Sequence, residues 1–179
     1  MKAKNYKEQP RIREDIEPLY ISAFPEEERP PVDMFFDNAL KEDNELLGFY
    51  ENDEFIGFTN VLFYKDLCYV FFLAIAPVKR KQGYGSSILK YVTETYKEKR
   101  FVLCFEEVDE KYEDNSFRIK RRDFYYRNGF KDNKLKTCEY WVRYDTVYCG
   151  DHPVTFEEYL SIMVHCYGEL AKKYIKKAS

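Results

Sequence analysis

Apolar positions change their spacing along this chain, and each change marks an element. Between residues 12 and 23, Ile12, Ile16, Leu19, Tyr20 and Ala23 recur at helical spacing, which predicts a helix ended by Phe24-Pro25. Pro25-Glu26-Glu27-Glu28-Arg29-Pro30-Pro31 is a charged, proline-rich loop, and a short helix is expected over residues 32–41. Three strands follow: Leu46–Tyr50, Phe55–Tyr64 and Cys68–Ile75. The turns between them are Glu51-Asn52-Asp53-Glu54 and Lys65-Asp66, so the strands form an antiparallel meander. The third has almost no polar residue, as expected of a strand covered on both faces.

Pro77 ends that strand, and a glycine-bearing stretch runs into an amphipathic helix over Ser86–Lys97, with Ile88, Leu89, Val92 and Tyr96 on one side. The apolar strand Phe101–Glu106 completes a strand–helix–strand unit, which requires a parallel pair. Asn115–Asn128 reads as a helix closed by Gly129, and Leu135–Cys149 as one or two strands. Thr155 with Glu158 forms a capping box that opens a last helix running to Lys173. The pattern predicts an α/β fold: a mixed, mostly antiparallel central sheet of six or seven strands flanked by helices. Residues 1–150 are expected to form one domain, with 151–179 as a helical extension packed on it.

Composition refines this picture. Of the 179 residues, 45% are hydrophobic and 18% aromatic, enough to fill a core or to line a cleft. The net charge of −3 argues against a basic nucleic-acid binder. Within this acidic chain, Lys79-Arg80-Lys81 and the arginines between Arg118 and Arg122 are local basic clusters, which points to a small anionic ligand. The five cysteines are odd in number and lack a CxxC spacing, consistent with buried free thiols in a reducing compartment. His152 and His165 have no Cys or His at ligand spacing, so no metal is expected. Neither a leader nor an apolar run of roughly 20 residues is visible, and a cytoplasmic protein without membrane contact is expected.

The informative feature is Arg80-Lys81-Gln82-Gly83-Tyr84-Gly85. A glycine-bearing turn between a buried strand and a helix presents backbone N–H groups, and the helix dipole draws a phosphate toward them. It is not a P-loop, because no Gly-Lys-Ser/Thr follows, and it is not the dinucleotide fingerprint, because a meander precedes it.

Two motifs together resemble the GNAT superfamily of N-acetyltransferases. The first is Leu73-Ala74-Ile75-Ala76-Pro77 followed by Arg80-x-x-Gly83-x-Gly85; the second is Phe124-Tyr125-Tyr126-Arg127-Asn128-Gly129-Phe130. The resemblance covers Leu46–Cys149 and implies a GNAT-like acyl-CoA N-acyltransferase fold with acetyl-CoA as co-substrate. It implies that the backbone of Leu73, Ala74 and Ile75 pairs with the pantetheine arm. The N–H groups of Arg80, Lys81, Gln82, Gly83, Tyr84, Gly85 and Ser86 then hold the pyrophosphate. Tyr125 matches the position of a general acid for the departing thiolate, and Tyr126 lies about 100° around the helix from it. A base for the amine is expected at Glu106 or Glu28, with Glu107 on the other face of its strand. Where relatives carry Asn and Ala before the tyrosine, this chain has Arg118 and Arg121. Arg121 or Arg122 is a candidate for a cofactor phosphate or an anionic substrate.

The resemblance implies acetyl transfer to a primary amine, expected to be that of a small molecule. The alternative is a non-catalytic acyl-CoA-binding or regulatory module on the same fold. A third reading is an interaction protein whose last helix binds a partner, and a homodimer contact through that helix is also open.

Overall fold

The computed structural model describes residues Met1–Ala178. Eight strands lie in one sheet in the order β1-β2-β3-β4-β5-β7-β6-β8. They are β1 Lys2–Asn5, β2 Asn44–Glu51, β3 Glu54–Tyr64, β4 Leu67–Ile75, β5 Arg100–Glu106, β6 Lys131–Glu139, β7 Val142–Cys149 and β8 Ile175–Ala178. The helices are α1 Arg13–Ala23, α2 Val32–Asn38, α3 Tyr84–Thr95, α4 Asn115–Arg127, α5 Phe156–Tyr167 and α6 Ala171–Tyr174. The mixed, mostly antiparallel sheet with flanking helices is the architecture read from the pattern, and the strand–helix–strand unit supplies its parallel pair, Leu67–Tyr69 against Arg100–Val102.

The chain packs as two compact units. One comprises Met1–Phe63 and Val70–Tyr96; the other comprises Tyr64–Tyr69 and Lys97 onward. In the first unit, β4 alternates from Phe72 onward. Phe72 and Ala74 enter a cluster with Ile16, Leu19 and Tyr20 of α1 and Phe35 and Phe36 of α2. Leu73 and Ile75 pack on the opposite side, with Leu47, Phe49, Ile56 and Ile88. Tyr20 anchors the first cluster: its ring stacks on Phe35 at 4.1 Å, and its hydroxyl donates to the Pro30 carbonyl at 2.8 Å. That bond satisfies the one polar atom an otherwise apolar core side chain brings inside.

In the second unit, the buried Arg100 opens β5 and gathers the surrounding chain. Its Nε donates to Asp66 at 2.7 Å, one terminal nitrogen to the Pro153 carbonyl at 3.3 Å, and the other to Glu158 at 2.5 Å. Glu158 also completes the predicted capping box at Thr155, so one carboxylate ties the start of α5 to the start of β5.

Two elements differ from the sequence expectation. The predicted last helix to Lys173 is broken: α5 ends at Tyr167, Gly168 stands at φ 86°, and the chain re-forms as α6 and then as β8 against β6. The sheet gains two edge strands, β1 and β8, and so has eight strands rather than six or seven. Of the cysteines, only Cys68 and Cys166 are fully buried; Cys104, Cys138 and Cys149 are half-buried, and all five are free thiols.

Arg100→Ala strands two carboxylates and one carbonyl at once. The expected cost is about 1.5–3 kcal/mol, the size of hydrogen bonds to a charged group, read as a lowered urea midpoint. Arg100→Lys should recover only part of it, because an ammonium cannot fork to both acids.

Candidate active site

The glycine loop is built by what precedes it. At the end of β4, the Ala76 N–H donates to the Ile56 carbonyl at 2.9 Å, which keeps the strand on β3 up to its last residue. β3 can come this close because residue 57 is glycine: a Cβ there would lie 2.3 Å from the Ala74 carbonyl oxygen. A single 3-10 turn over Pro77–Lys79 then swings the chain off the sheet. Lys81 at φ 62° and Gly83 at φ 84° are both left-handed, and Gly83 is the N-cap of α3. A glycine takes that conformation without the cost a side chain would add.

No side chain caps α3, and no acidic residue lies in its first turn. The N–H groups of Tyr84, Gly85 and Ser86 therefore have no partner of the kind a cap supplies. The Arg80 guanidinium donates only to the Ile75 carbonyl at 3.1 Å, and the Gln82 amide to the Val78 carbonyl at 3.0 Å. Among the described residues, neither Arg80 nor Lys81 meets a carboxylate. Two cations without a carboxylate and an uncapped helix start suit a multiply charged phosphate ester. Leu73 and Ile75 are half-buried and Ala74 buried, so in this unit the predicted pantetheine positions serve the core through their side chains. Glu28 closes a one-turn 3-10 helix, Glu26–Glu28, between α1 and α2 and is half-buried.

The second unit holds the other predicted residues. Tyr125 lies on α4, 8% exposed, packed on Phe105 at 5.7 Å and on Phe130 at 6.3 Å. Burial pushes its phenol up to about 12, partly offset by the charge of Arg121, so it holds its proton across the neutral range. Its hydroxyl has no hydrogen-bond partner among the described residues. Tyr126 is more exposed, at 39%. Glu106 ends β5 and accepts a hydrogen bond from Arg121, one turn before Tyr125 on α4. Arg118 donates to Asp114 at 2.8 Å and to the Glu107 carbonyl at 3.1 Å, while Arg122 pairs with Asp123. The arginines named as candidates for an anionic ligand are thus all engaged within their own unit.

Sequence reasoning missed two polar centres here. Glu107 is 2% exposed and is the hub of a cation cluster. Lys111 at 3.0 Å, Lys136 at 3.0 Å and Arg143 at 2.9 Å all donate to its carboxylate, and Tyr112 adds a bond at 3.2 Å. The second centre is Glu139, which accepts from Tyr159 of α5 and from Thr137; the Tyr159 and Tyr69 hydroxyls meet at 3.1 Å. Burial pushes the Glu139 carboxyl and the nearby Cys104 thiol up. Tyr159 was read from the sequence only as part of a helix. No helix among the described residues is long and apolar enough to cross a membrane, and no group of three or more His, Cys, Asp or Glu there could hold a metal ion.

The fold and the loop together define a class, that of transferases drawing on acyl-CoA. The family model of the acetyltransferase (GNAT) family matches residues 10–130, and the chain belongs to that family. Membership makes it an acetyl-CoA-dependent N-acetyltransferase. Among solved structures, the chain is similar to a GNAT-family acetyltransferase from Bacteroides thetaiotaomicron, at 21% identity and a TM-score of 0.74 over 94% of this chain and 99% of that one. It is similar to an aminoglycoside 6'-N-acetyltransferase complexed with coenzyme A, at 14% identity and a TM-score of 0.68 over 86% and 100%. It is also similar to the ribosomal-protein-S18-alanine N-acetyltransferase of Escherichia coli, at 13% identity and a TM-score of 0.64 over 87% and 96%. No curated protein matches by sequence.

The Glu107 cluster carries a pH dependence. Burial alone would raise this carboxyl, but Arg143, Lys111 and Lys136 outweigh it and hold it well below the usual carboxylate range. A depressed folded-state pKa contributes stability above the unfolded value and loses it as pH falls. The urea-midpoint advantage of the native chain over Glu107→Gln should therefore be full above about pH 5 and shrink as the solution is acidified further.

Proposed function

We propose that the protein transfers the acetyl group of acetyl-CoA to the primary amine of a small molecule by direct attack. The observation that carries the donor half is the α3 start: left-handed Lys81 and Gly83, an uncapped first turn, no acid within it, and two cations without a carboxylate. On this reading the N–H groups from Arg80 to Ser86 hold the pyrophosphate, and the backbone of Leu73–Ile75 lies along the pantetheine arm. The amine nitrogen attacks the thioester carbonyl carbon, and a backbone N–H near Ile75 stabilises the oxyanion. The carbon–sulfur bond then breaks, and Tyr125 gives its proton to the thiolate. A buried phenol that keeps its proton at neutral pH is suited to that step.

The amine proton passes to a carboxylate. Glu106, which ends β5, and Glu28, between α1 and α2, are the two candidates for that role; Glu106 also accepts a hydrogen bond from Arg121. The acceptor is read as small from the proline-rich segment around Glu28 and the abundance of tyrosine. Two of the structural neighbours are named for acetylation of an aminoglycoside and of a ribosomal-protein alanine, so similar folds serve both small and macromolecular amines.

The test is free-thiol release from acetyl-CoA across a panel of primary amines. Tyr125→Phe should lower kcat by about 100-fold, the low end for loss of an acid catalyst, while KM for acetyl-CoA changes little. Replacing the base, by Glu106→Gln or by Glu28→Gln, should lower kcat on the plateau and flatten the acid limb of the pH profile, and the other substitution should do neither. Full turnover in Tyr125→Phe would remove the acid assignment. Coenzyme A binding without thiol release for any amine would favour a binding module.

A further inference from the structure

Glu51 and Glu54 stand directly opposite each other at the end of the β2–β3 hairpin. The turn between them is Asn52-Asp53, both left-handed at φ 49° and φ 64°, the geometry of a tight two-residue hairpin. Like charges facing across strands are destabilising, so this pair calls for outside partners. Glu51 lies 3.8 Å from the Met1 amino group, and each glutamate also has one hydrogen-bond partner in the loop region. Glu51 accepts from the Tyr84 hydroxyl, and Glu54 accepts from Lys79. Tyr84 is the first residue of α3, directly after Gly83, while Lys79 closes the 3-10 turn just before Arg80. The two contacts therefore clamp the loop from both ends. The Tyr84 ring packs against the cluster of Leu47, Phe49, Ile56 and Ile88, so its hydroxyl reaches Glu51 from a fixed base. The bond to the Glu51 carboxylate also pushes the Tyr84 phenol up, which keeps it a donor. Behind the loop, the Ala76–Ile56 bond and the close approach at Gly57 fix the end of β4.

We propose that the β2–β3 hairpin braces the donor loop, with Glu51–Tyr84 and Glu54–Lys79 as positioning pairs that hold residues 80–86 in their phosphate-binding form before the cofactor arrives. The proposal rests on the reading of that loop as the coenzyme A site. Lys79 offsets the charge of Glu54 and the Tyr84 hydroxyl engages Glu51, and the brace removes the ordering cost from the binding step. Tyr84 and Lys79 act here through the loop and not on the reacting atoms.

Two measurements on the full chain test this and separate it from the reading beneath it. Hydrogen exchange of residues 80–86 without ligand examines the brace alone. Tyr84→Phe and Glu51→Ala should each speed exchange there while leaving that of α4 and α5 unchanged; unchanged exchange at the loop would overturn the brace. Calorimetric titration with coenzyme A examines what the brace serves. Each single variant should raise Kd by about tenfold, the scale of one charge-assisted hydrogen bond, and the double variant by no more than either alone. In turnover, KM for acetyl-CoA should rise while kcat at saturation is kept. Losses that multiply in the double variant, or variants that bind as the native chain does, would overturn the positioning role. A native chain that fails to bind coenzyme A, with loop exchange still sensitive to Tyr84→Phe, would sink the donor-site reading and leave the brace standing.

Discussion

The first unit depends on one close approach, that of the Ala74 carbonyl to the space where residue 57 would carry a Cβ. At 2.3 Å that space cannot hold a methyl group, so β3 and β4 lie at this separation only with glycine between them. The consequence runs outward in order. The Ile56 carbonyl reaches the Ala76 N–H, β4 remains in the sheet to its last residue, and Pro77 then turns the chain at a fixed point. Everything from Arg80 to Ser86 inherits its position from that point. A loop that must aim several N–H groups at one ligand gains more from a fixed start than from rigidity of its own.

Electrostatics divides the two units in opposite ways. Around the α3 start the chain withholds acids: none lies in the first turn, and the two glutamates of the neighbouring hairpin are occupied by Tyr84 and Lys79. In the second unit, carboxylates and cations satisfy one another. Glu107 takes three cations, Glu106 takes Arg121, and Asp66 and Glu158 share Arg100. Buried charge is tolerated only when paired in this way. The Tyr125 phenol, by contrast, is buried against Phe105 and Phe130 with no cation bound to its hydroxyl.

What was legible in the sequence was local. The run from Cys68 to Gly85 could be read because a two-sided apolar strand, a proline stop, a basic pair and a glycine each act on their nearest neighbours. The edge strands could not. Lys-Ala-Lys-Asn of β1 shows no alternating apolar set and exists because β2 offers it a ladder. Ile-Lys-Lys-Ala of β8 has no alternating apolar set either: Gly168 ends α5, α6 ends at the extended Ile175, and β6 offers β8 its ladder. At the candidate site, the loop and the Tyr125 helix were legible, while the partners of Tyr84, Glu106 and Glu107 were not, since each joins elements far apart in the chain. Two glutamates flanking a two-residue turn cannot face each other cheaply, so their partners must lie elsewhere.

Donor recognition by backbone has a further consequence. If strand-edge groups and N–H groups hold coenzyme A, the side chains at Leu73 and Ile75 are free to be whatever the core needs. Most of the loop then asks only for a left-handed turn and an uncapped helix. A site of that kind survives wide sequence change, which fits a fold kept at TM-scores of 0.64 to 0.74 while identity falls to between 13% and 21%. Acceptor recognition has no such shelter, because an amine must be chosen by side chains. In this chain the segment to which we assign that choice is Pro25–Pro31, which carries three consecutive glutamates on a single 3-10 turn and little regular structure to constrain it. The same physics that makes the donor readable from a short motif leaves the acceptor to residues that no backbone rule predicts.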